Sequence, residues 1–159
     1  MRVTLLAERP HLAPVIAQWH FAEWGHLYPG GTIAGWLDHI RTRMNADRIP
    51  LTFIALDDGE EPVGTAAIVE HDMETHRELY PWLGGVYIIP AARRCGVASA
   101  LIRDLTSWAA GFGVRDLYLY TYAAERLYQK LGWRVLSRET YMGREVTVMT
   151  TAIGRLTSQ

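Results

Sequence analysis

The run Val86-Tyr87-Ile88-Ile89-Pro90-Ala91-Ala92-Arg93-Arg94-Cys95-Gly96-Val97-Ala98-Ser99-Ala100-Leu101-Ile102 decides how the rest of the chain is read. A β-branched and aromatic stretch, a short basic loop holding one glycine, and the opening of an apolar-periodic helix follow one another directly. That order is strand, loop, helix. Its physical use is to bind phosphate, because the first N–H groups of a helix have no internal partner and the helix dipole adds partial positive charge there. Gly96 has no side chain and Ala98 a single methyl, so a pyrophosphate can approach the backbone closely, while Arg93 and Arg94 add longer-range attraction. Pro90 ends the strand's ladder and starts the loop.

Several phosphate ligands are disfavoured at once. The chain has no GxxxxGK[ST] run, and its loop has one glycine, past mid-chain, where a dinucleotide loop needs GxGxxG after an early strand; an ATP- or NAD-binding domain is therefore a poor reading. What the loop does match is [QR]xxGx[GA], through Arg93, Gly96 and Ala98. A second pattern follows in Ala124-Glu125-Arg126-Leu127-Tyr128-Gln129-Lys130-Leu131-Gly132-Trp133, of the form AxxxYxxxG plus an aromatic, with Ala124, Tyr128, Gly132 and Trp133 in place.

On these two matches the chain resembles the GNAT superfamily of acyl-CoA-dependent N-acetyltransferases. The matched window, Val86 to Trp133, is under a third of the sequence. The resemblance implies that residues 93–99 (Arg93, Arg94, Cys95, Gly96, Val97, Ala98, Ser99) hold the pyrophosphate of coenzyme A, and that acetyl-CoA is the co-substrate. It also implies that Tyr128, on a short helix, gives a proton to the departing coenzyme A thiolate. Many members carry an asparagine after the strand preceding that helix; here Thr121-Tyr122-Ala123 stand there, so that contact is not carried over.

Composition bounds the rest. At 159 residues the chain is one domain's worth, with 49% hydrophobic residues, 21% charged and a formal net charge of −1, which argues against disorder and against a general nucleic-acid or anionic-membrane surface. A single cysteine, Cys95, excludes an internal disulfide framework and any cysteine-rich zinc site, and the six histidines show no spacing such as HExxH, so no metal is expected. With no signal-peptide pattern and no 18-residue apolar run, a cytoplasmic location is expected.

The order of elements agrees with the resemblance. Val3 to Leu6 reads as a strand. A helix follows Pro10, with Leu12, Val15, Ile16 and Trp19 on its apolar face, and a second, capped by Thr32, runs to about Met44 with Ile33, Trp36, Leu37 and Ile40 as its stripe. Leu51 to Leu56 and Val63 to Glu70 form a hairpin across a turn at Asp57-Asp58-Gly59-Glu60, and His71 to Pro81 is too polar for anything but a loop. Leu83 to Ile89 is the central strand. The helix after it places Val97, Leu101, Leu105, Trp108 and Phe112 on one face. Leu117 to Tyr122 is a strand parallel to the central one, Ala123 to Lys130 a short helix, and Trp133 to Tyr141 with Glu145 to Thr151 a closing hairpin, beyond which the tail from Ala152 is expected to fray. The sum is an α+β fold: a mixed, mostly antiparallel sheet of about seven strands, a central parallel pair, and helices on both faces, all in a single domain.

A mechanism follows without a metal or a covalent intermediate. The backbone of Val86, Tyr87 and Ile88, where two parallel strands diverge, would pair with the pantetheine arm as an added strand would, and an N–H near Ile88 would donate to the thioester carbonyl. The attacking amine must first lose a proton; Glu70 and Asp72 are the candidate bases, with a chain of waters equally able. Trp24, His26 and Tyr28, between the two early helices, either line the acceptor site or pack. The acidic stretch Glu70 to Glu78 points to a cationic acceptor, whether a small molecule or a peptide amine. A non-catalytic acyl-CoA-binding module would keep the loop and dispense with the acid, and the intact Tyr128 disfavours it. The aromatic-rich closing hairpin is a candidate homodimer surface.

Overall fold

A computed structural model describes residues 1–153, so part of the expected C-terminal tail lies outside the described residues. Seven strands, β1 (Arg2–Leu5), β2 (Leu51–Leu56), β3 (Pro62–Val69), β4 (Trp82–Ile88), β5 (Asp116–Thr121), β6 (Arg134–Tyr141) and β7 (Arg144–Ala152), are joined with four α-helices, α1 (Ala13–Trp24), α2 (Ile33–Arg41), α3 (Val97–Gly111) and α4 (Glu125–Lys130). The strands form one sheet in the order β1-β2-β3-β4-β5-β7-β6. Pairing is antiparallel at β1–β2, β2–β3, β5–β7 and β6–β7, and parallel at β4–β5 through Trp82 opposite Tyr118. The expected mixed sheet with one parallel pair is what forms.

The chain gathers into two compact units. The first is Met1–Val69 with Gly84–Leu105, and the second Glu70–Leu83 with Thr106 onward. In the first, Leu6, Ala13, Ile16, Ala17, Ile40, Ile54 and Leu56 make a dry core, with Trp19, Trp36 and Leu37 packed on its margin. Burying side chains of this size is worth about 1.5–3 kcal/mol each, which is what seats α1 and α2 on the strands. In the second, Trp82, Leu117, Leu119, Tyr128, Trp133, Val146, Val148 and Met149 are buried.

Local signals explain where the elements stop. The Thr32 hydroxyl accepts from the Gly35 N–H at 3.1 Å and caps α2 as expected. That helix ends at Arg41 rather than near Met44, because Thr42 turns its hydroxyl back onto the His39 carbonyl at 2.6 Å and Met44 pairs with Leu51. The buried face of α1 is Ala13, Ile16, Ala17 and His20; of the expected Leu12, Val15, Ile16 and Trp19 stripe Ile16 is fully buried, while two alanines let the helix lie close and the bulkier Leu12, Val15 and Trp19 cover the rim. On α3, Val97, Leu101 and Leu105 are buried with Ile102 and Ala109, but Phe112 is 56% exposed. It lies past the helix end at Gly111 and stacks on Trp108, ring centroids 4.1 Å apart, instead of entering the core. Ile33, at the first turn of α2, is also exposed. Ala152 belongs to β7, and the Ile153 N–H reaches the Arg115 carbonyl at 2.7 Å, so the fraying expected from Ala152 does not begin there. No helix among the described residues is long and apolar enough to cross a membrane.

Candidate active site

The first unit holds the loop expected to bind pyrophosphate. After β4 the Ile89 N–H bonds the Val63 carbonyl at 3.0 Å, and the chain makes one tight turn at Pro90–Ala92. Arg94 and Gly96 then take positive φ, +62° and +81°, and bring the backbone round to the start of α3. A Cβ on Gly96 would meet no atom within 4 Å. The glycine is there for its left-handed backbone and leaves its outer face open, so a chiral residue would strain the turn without clashing. The Ala100 N–H bonds the Gly96 carbonyl at 3.0 Å, which leaves the N–H groups of Val97, Ala98 and Ser99 without partners inside the helix. Arg93, Arg94, Cys95 and Gly96 are exposed around them. Arg93 is held in place: its Nε donates to the Ile88 carbonyl at 2.9 Å, and its guanidinium lies 5.7 Å from the centre of the Tyr87 ring. The Cys95 thiol donates to the Arg93 carbonyl at 3.3 Å, a contact within the loop itself.

The three aromatic residues expected near an acceptor do not form one wall. Trp24 packs edge-on against Tyr87 of β4 at 6.3 Å, in a group with Trp19 and His20. Tyr28, 49% exposed, meets Trp36 of α2 at 5.9 Å, and His26 is exposed on the turn between them. Trp19, part of the expected apolar stripe of α1, also meets Tyr87 at 5.7 Å, a contact no local signal announces.

The second unit carries the candidate acid, Tyr128. Tyr128 is 6% exposed on α4, its ring edge-on to Trp133 at 5.9 Å, and burial pushes its hydroxyl up to about 12. The motif's glycine, Gly132, has φ +94° and lets the chain reverse so that the Trp133 N–H bonds the Tyr128 carbonyl at 3.0 Å. The family asparagine is replaced in a structural sense: the Thr121 hydroxyl accepts from the Ala124 N–H at 3.0 Å and orders the entry to α4. Glu125 anchors that helix to the closing hairpin, accepting from Arg138 at 2.5 Å and from the Thr147 hydroxyl at 3.1 Å, and the Arg138 hydrogen bond holds its carboxyl below the usual range. Beside it Tyr122, Ala123, Glu125, Arg126, Gln129 and Thr147 line an open pocket of about 430 Å³.

The candidate bases lie at the start of the polar loop, Glu70 exposed and Asp72 half-buried. Elsewhere in that loop the acidic residues are engaged: Glu74 pairs with Arg77 at 3.0 Å, and His76 bridges Glu139 at 2.7 Å and Glu78 at 3.2 Å. Partial burial disfavours the charged imidazole, but the hydrogen bonds it donates to the Glu139 and Glu78 carboxylates outweigh it and raise His76 above its ordinary value. A raised folded value stabilises the fold below the unfolded value of about 6.5 and is lost as pH rises through the folded one. His76→Gln should therefore lower the thermal midpoint by a few degrees at most at pH 5.5 and leave it unchanged at pH 9. Equal losses at both pH values would count against the pairing. Among the described residues no group of three or more His, Cys, Asp or Glu is placed to hold a metal ion.

Each unit carries one of the two sequence patterns, the strand–loop–helix segment in the first and the AxxxYxxxG helix in the second. The chain belongs to the GNAT acetyltransferase family, whose sequence model matches residues 14–133, and it is an acetyl-CoA-dependent N-acetyltransferase. It is 26% identical over 110 residues to the aminoglycoside N(6')-acetyltransferase type 1 of Acinetobacter haemolyticus, a match covering 65% of this chain and 76% of that one. Among solved structures, an aminoglycoside 6'-N-acetyltransferase complexed with coenzyme A superposes with a TM-score of 0.73 at 14% identity, over 96% of this chain and 97% of that one. The phosphinothricin acetyltransferase of Sinorhizobium meliloti, in complex with AcCoA, gives 0.73 at 18% identity, over 100% and 92%.

Proposed function

We propose that this protein, acting as one acetyltransferase domain, moves the acetyl group of acetyl-CoA to a primary amine of a small cationic molecule of the aminoglycoside type, by direct attack in a ternary complex. The observation that carries the reading is the anion loop: three first-turn N–H groups of α3, two left-handed residues before them, and Arg93 and Arg94 beside them. These hold the pyrophosphate. A backbone N–H of Val86, Tyr87 or Ile88 donates to the thioester carbonyl. The amine nitrogen bonds the carbonyl carbon and gives up its proton to Glu70, Asp72 or water; the C–S bond breaks, and sulfur leaves with the electron pair and takes a proton from Tyr128. The aminoglycoside relative supports the acceptor class, and Trp24, His26 and Tyr28 are assigned to acceptor contacts. We assign it to the cytoplasm, as a compartment that supplies acetyl-CoA. The edge strand β6, with Leu136 exposed, is the face we assign to a homodimer.

The test is ligand-dependent unfolding followed by turnover. Acetyl-CoA or coenzyme A at about 100 times its dissociation constant should add about 2.7 kcal/mol, a rise of roughly 5–10 °C for a chain of this size, whereas ATP and NAD should add nothing. Thiol release should then follow addition of kanamycin. No shift with either coenzyme A species would sink the reading.

A further inference from the structure

His20 is a buried ionisable side chain that this chemistry leaves unused. It lies on α1, 3% exposed, with Nε2 3.0 Å from the Thr65 hydroxyl, and that hydroxyl is 2.9 Å from the Gly85 carbonyl oxygen. A carbonyl can only accept, so the one hydroxyl hydrogen of Thr65 goes to Gly85. Thr65 is then left to accept from His20, which puts the imidazole proton on Nε2. Burial, with Arg43 and His39 nearby, pushes His20 down to about 3, so the ring stays neutral and the relay runs one way.

Gly85 stands inside β4 with φ +59°, and a Cβ there would lie 3.4 Å from His20 Cε1 and 3.9 Å from the Ala67 Cβ. A strand residue in that conformation leaves the regular ladder, and the next peptide turns with it. In a trans peptide the carbonyl of one residue and the N–H of the next point in opposite directions. With the Gly85 carbonyl held on Thr65, the Val86 N–H is aimed away from that hydroxyl. We infer that His20 and Thr65 are positioning residues: they fix the Gly85–Val86 peptide so that the Val86 N–H donates to the thioester carbonyl oxygen of acetyl-CoA. This rests on the acetyl-transfer reading and narrows its backbone donor to one N–H, aimed from α1 through β3.

The test reads the carbonyl itself, with no acceptor needed. The carbonyl ¹³C resonance of [1-¹³C]acetyl-CoA moves downfield when the oxygen accepts a hydrogen bond. Bound to the full chain it should be displaced from its free position. Thr65→Val and His20→Phe should lose most of that displacement while the dissociation constant for coenzyme A changes by no more than about twofold. Thr65→Ser, which restores the hydroxyl, and His20→Gln, which restores a donor where Nε2 stood, should recover it. A role confined to stability would move the thermal midpoint and leave the bound resonance alone. Full displacement in Thr65→Val, or a wild-type complex with none, overturns the inference. Failure of the wild-type chain to bind acetyl-CoA overturns the acetyl-transfer reading with it.

Discussion

Tyr128→Phe should lower kcat by about 10² to 10⁴ and leave the dissociation constant for coenzyme A unchanged, the range for losing a general acid. The fold should tolerate the change, because the ring keeps its buried seat against Trp133 and only the hydroxyl is lost. Burial raises that hydroxyl to about 12, so it is protonated at any pH at which an amine can attack. The same shift constrains how the proton moves. An alkyl thiol in water has a pKa near 8.5, so giving a proton from a group at 12 to a fully formed, solvated thiolate is uphill by about 5 kcal/mol. Donation must therefore accompany C–S cleavage, while the sulfur is still poorly solvated and correspondingly basic. kcat in the wild type should accordingly show no fall from Tyr128 ionisation below about pH 10. A loss of under tenfold in Tyr128→Phe would mean that solvent supplies the proton and the tyrosine only packs. A wild-type chain that binds acetyl-CoA and turns over no amine would favour the non-catalytic module.

The second large effect is on stability. Trp82 is fully buried at the first residue of β4, its indole N–H on the Leu79 carbonyl at 2.8 Å and its ring within 5.9 Å of Tyr118 and 6.5 Å of Tyr120. It is also the residue opposite Tyr118 in the parallel ladder. Trp82→Ala should cost about 3–5 kcal/mol, from lost burial, the cavity left behind and an unsatisfied carbonyl. In thermal unfolding that is a fall of roughly 6–20 °C. Trp82→Phe should retain more than half of the lost stability, since it refills most of the volume and lacks only the N–H. A loss below about 1 kcal/mol in the alanine variant would mean that the site collapses around the gap.

What the sequence made legible is what short-range chemistry determines. Pro90, Gly96 and the β-branched run before them specify strand, loop and helix within seventeen residues, and Thr32 and Gly132 mark a helix start and a helix stop through their own backbone geometry. The AxxxYxxxG spacing brought Tyr128 and Trp133 together because both sit on one turn and its reversal. Partners distant in sequence were not legible. His20 carries no apolar signal, so the stripe read on α1 included Ile16 but missed His20, and nothing local announces Thr65, 45 residues on, as its partner. The Glu139 carboxylate on His76 was hidden for the same reason, with 63 positions between them. Phe112 misled by a different route: its spacing continues the helical face, but the helix ends one residue before it.

Arg93 has a consequence in entropy. A free arginine side chain gives up about 2 kcal/mol of rotamer freedom when a ligand fixes it. Here the Ile88 carbonyl and the Tyr87 face already restrict it, so much of that loss is incurred when the chain folds and little remains for the encounter with a pyrophosphate. A lysine at 93 would preserve the charge while lacking both the planar fork and the prior confinement. It would meet each incoming anion as a mobile tether meets it, immobilised afresh on every turnover.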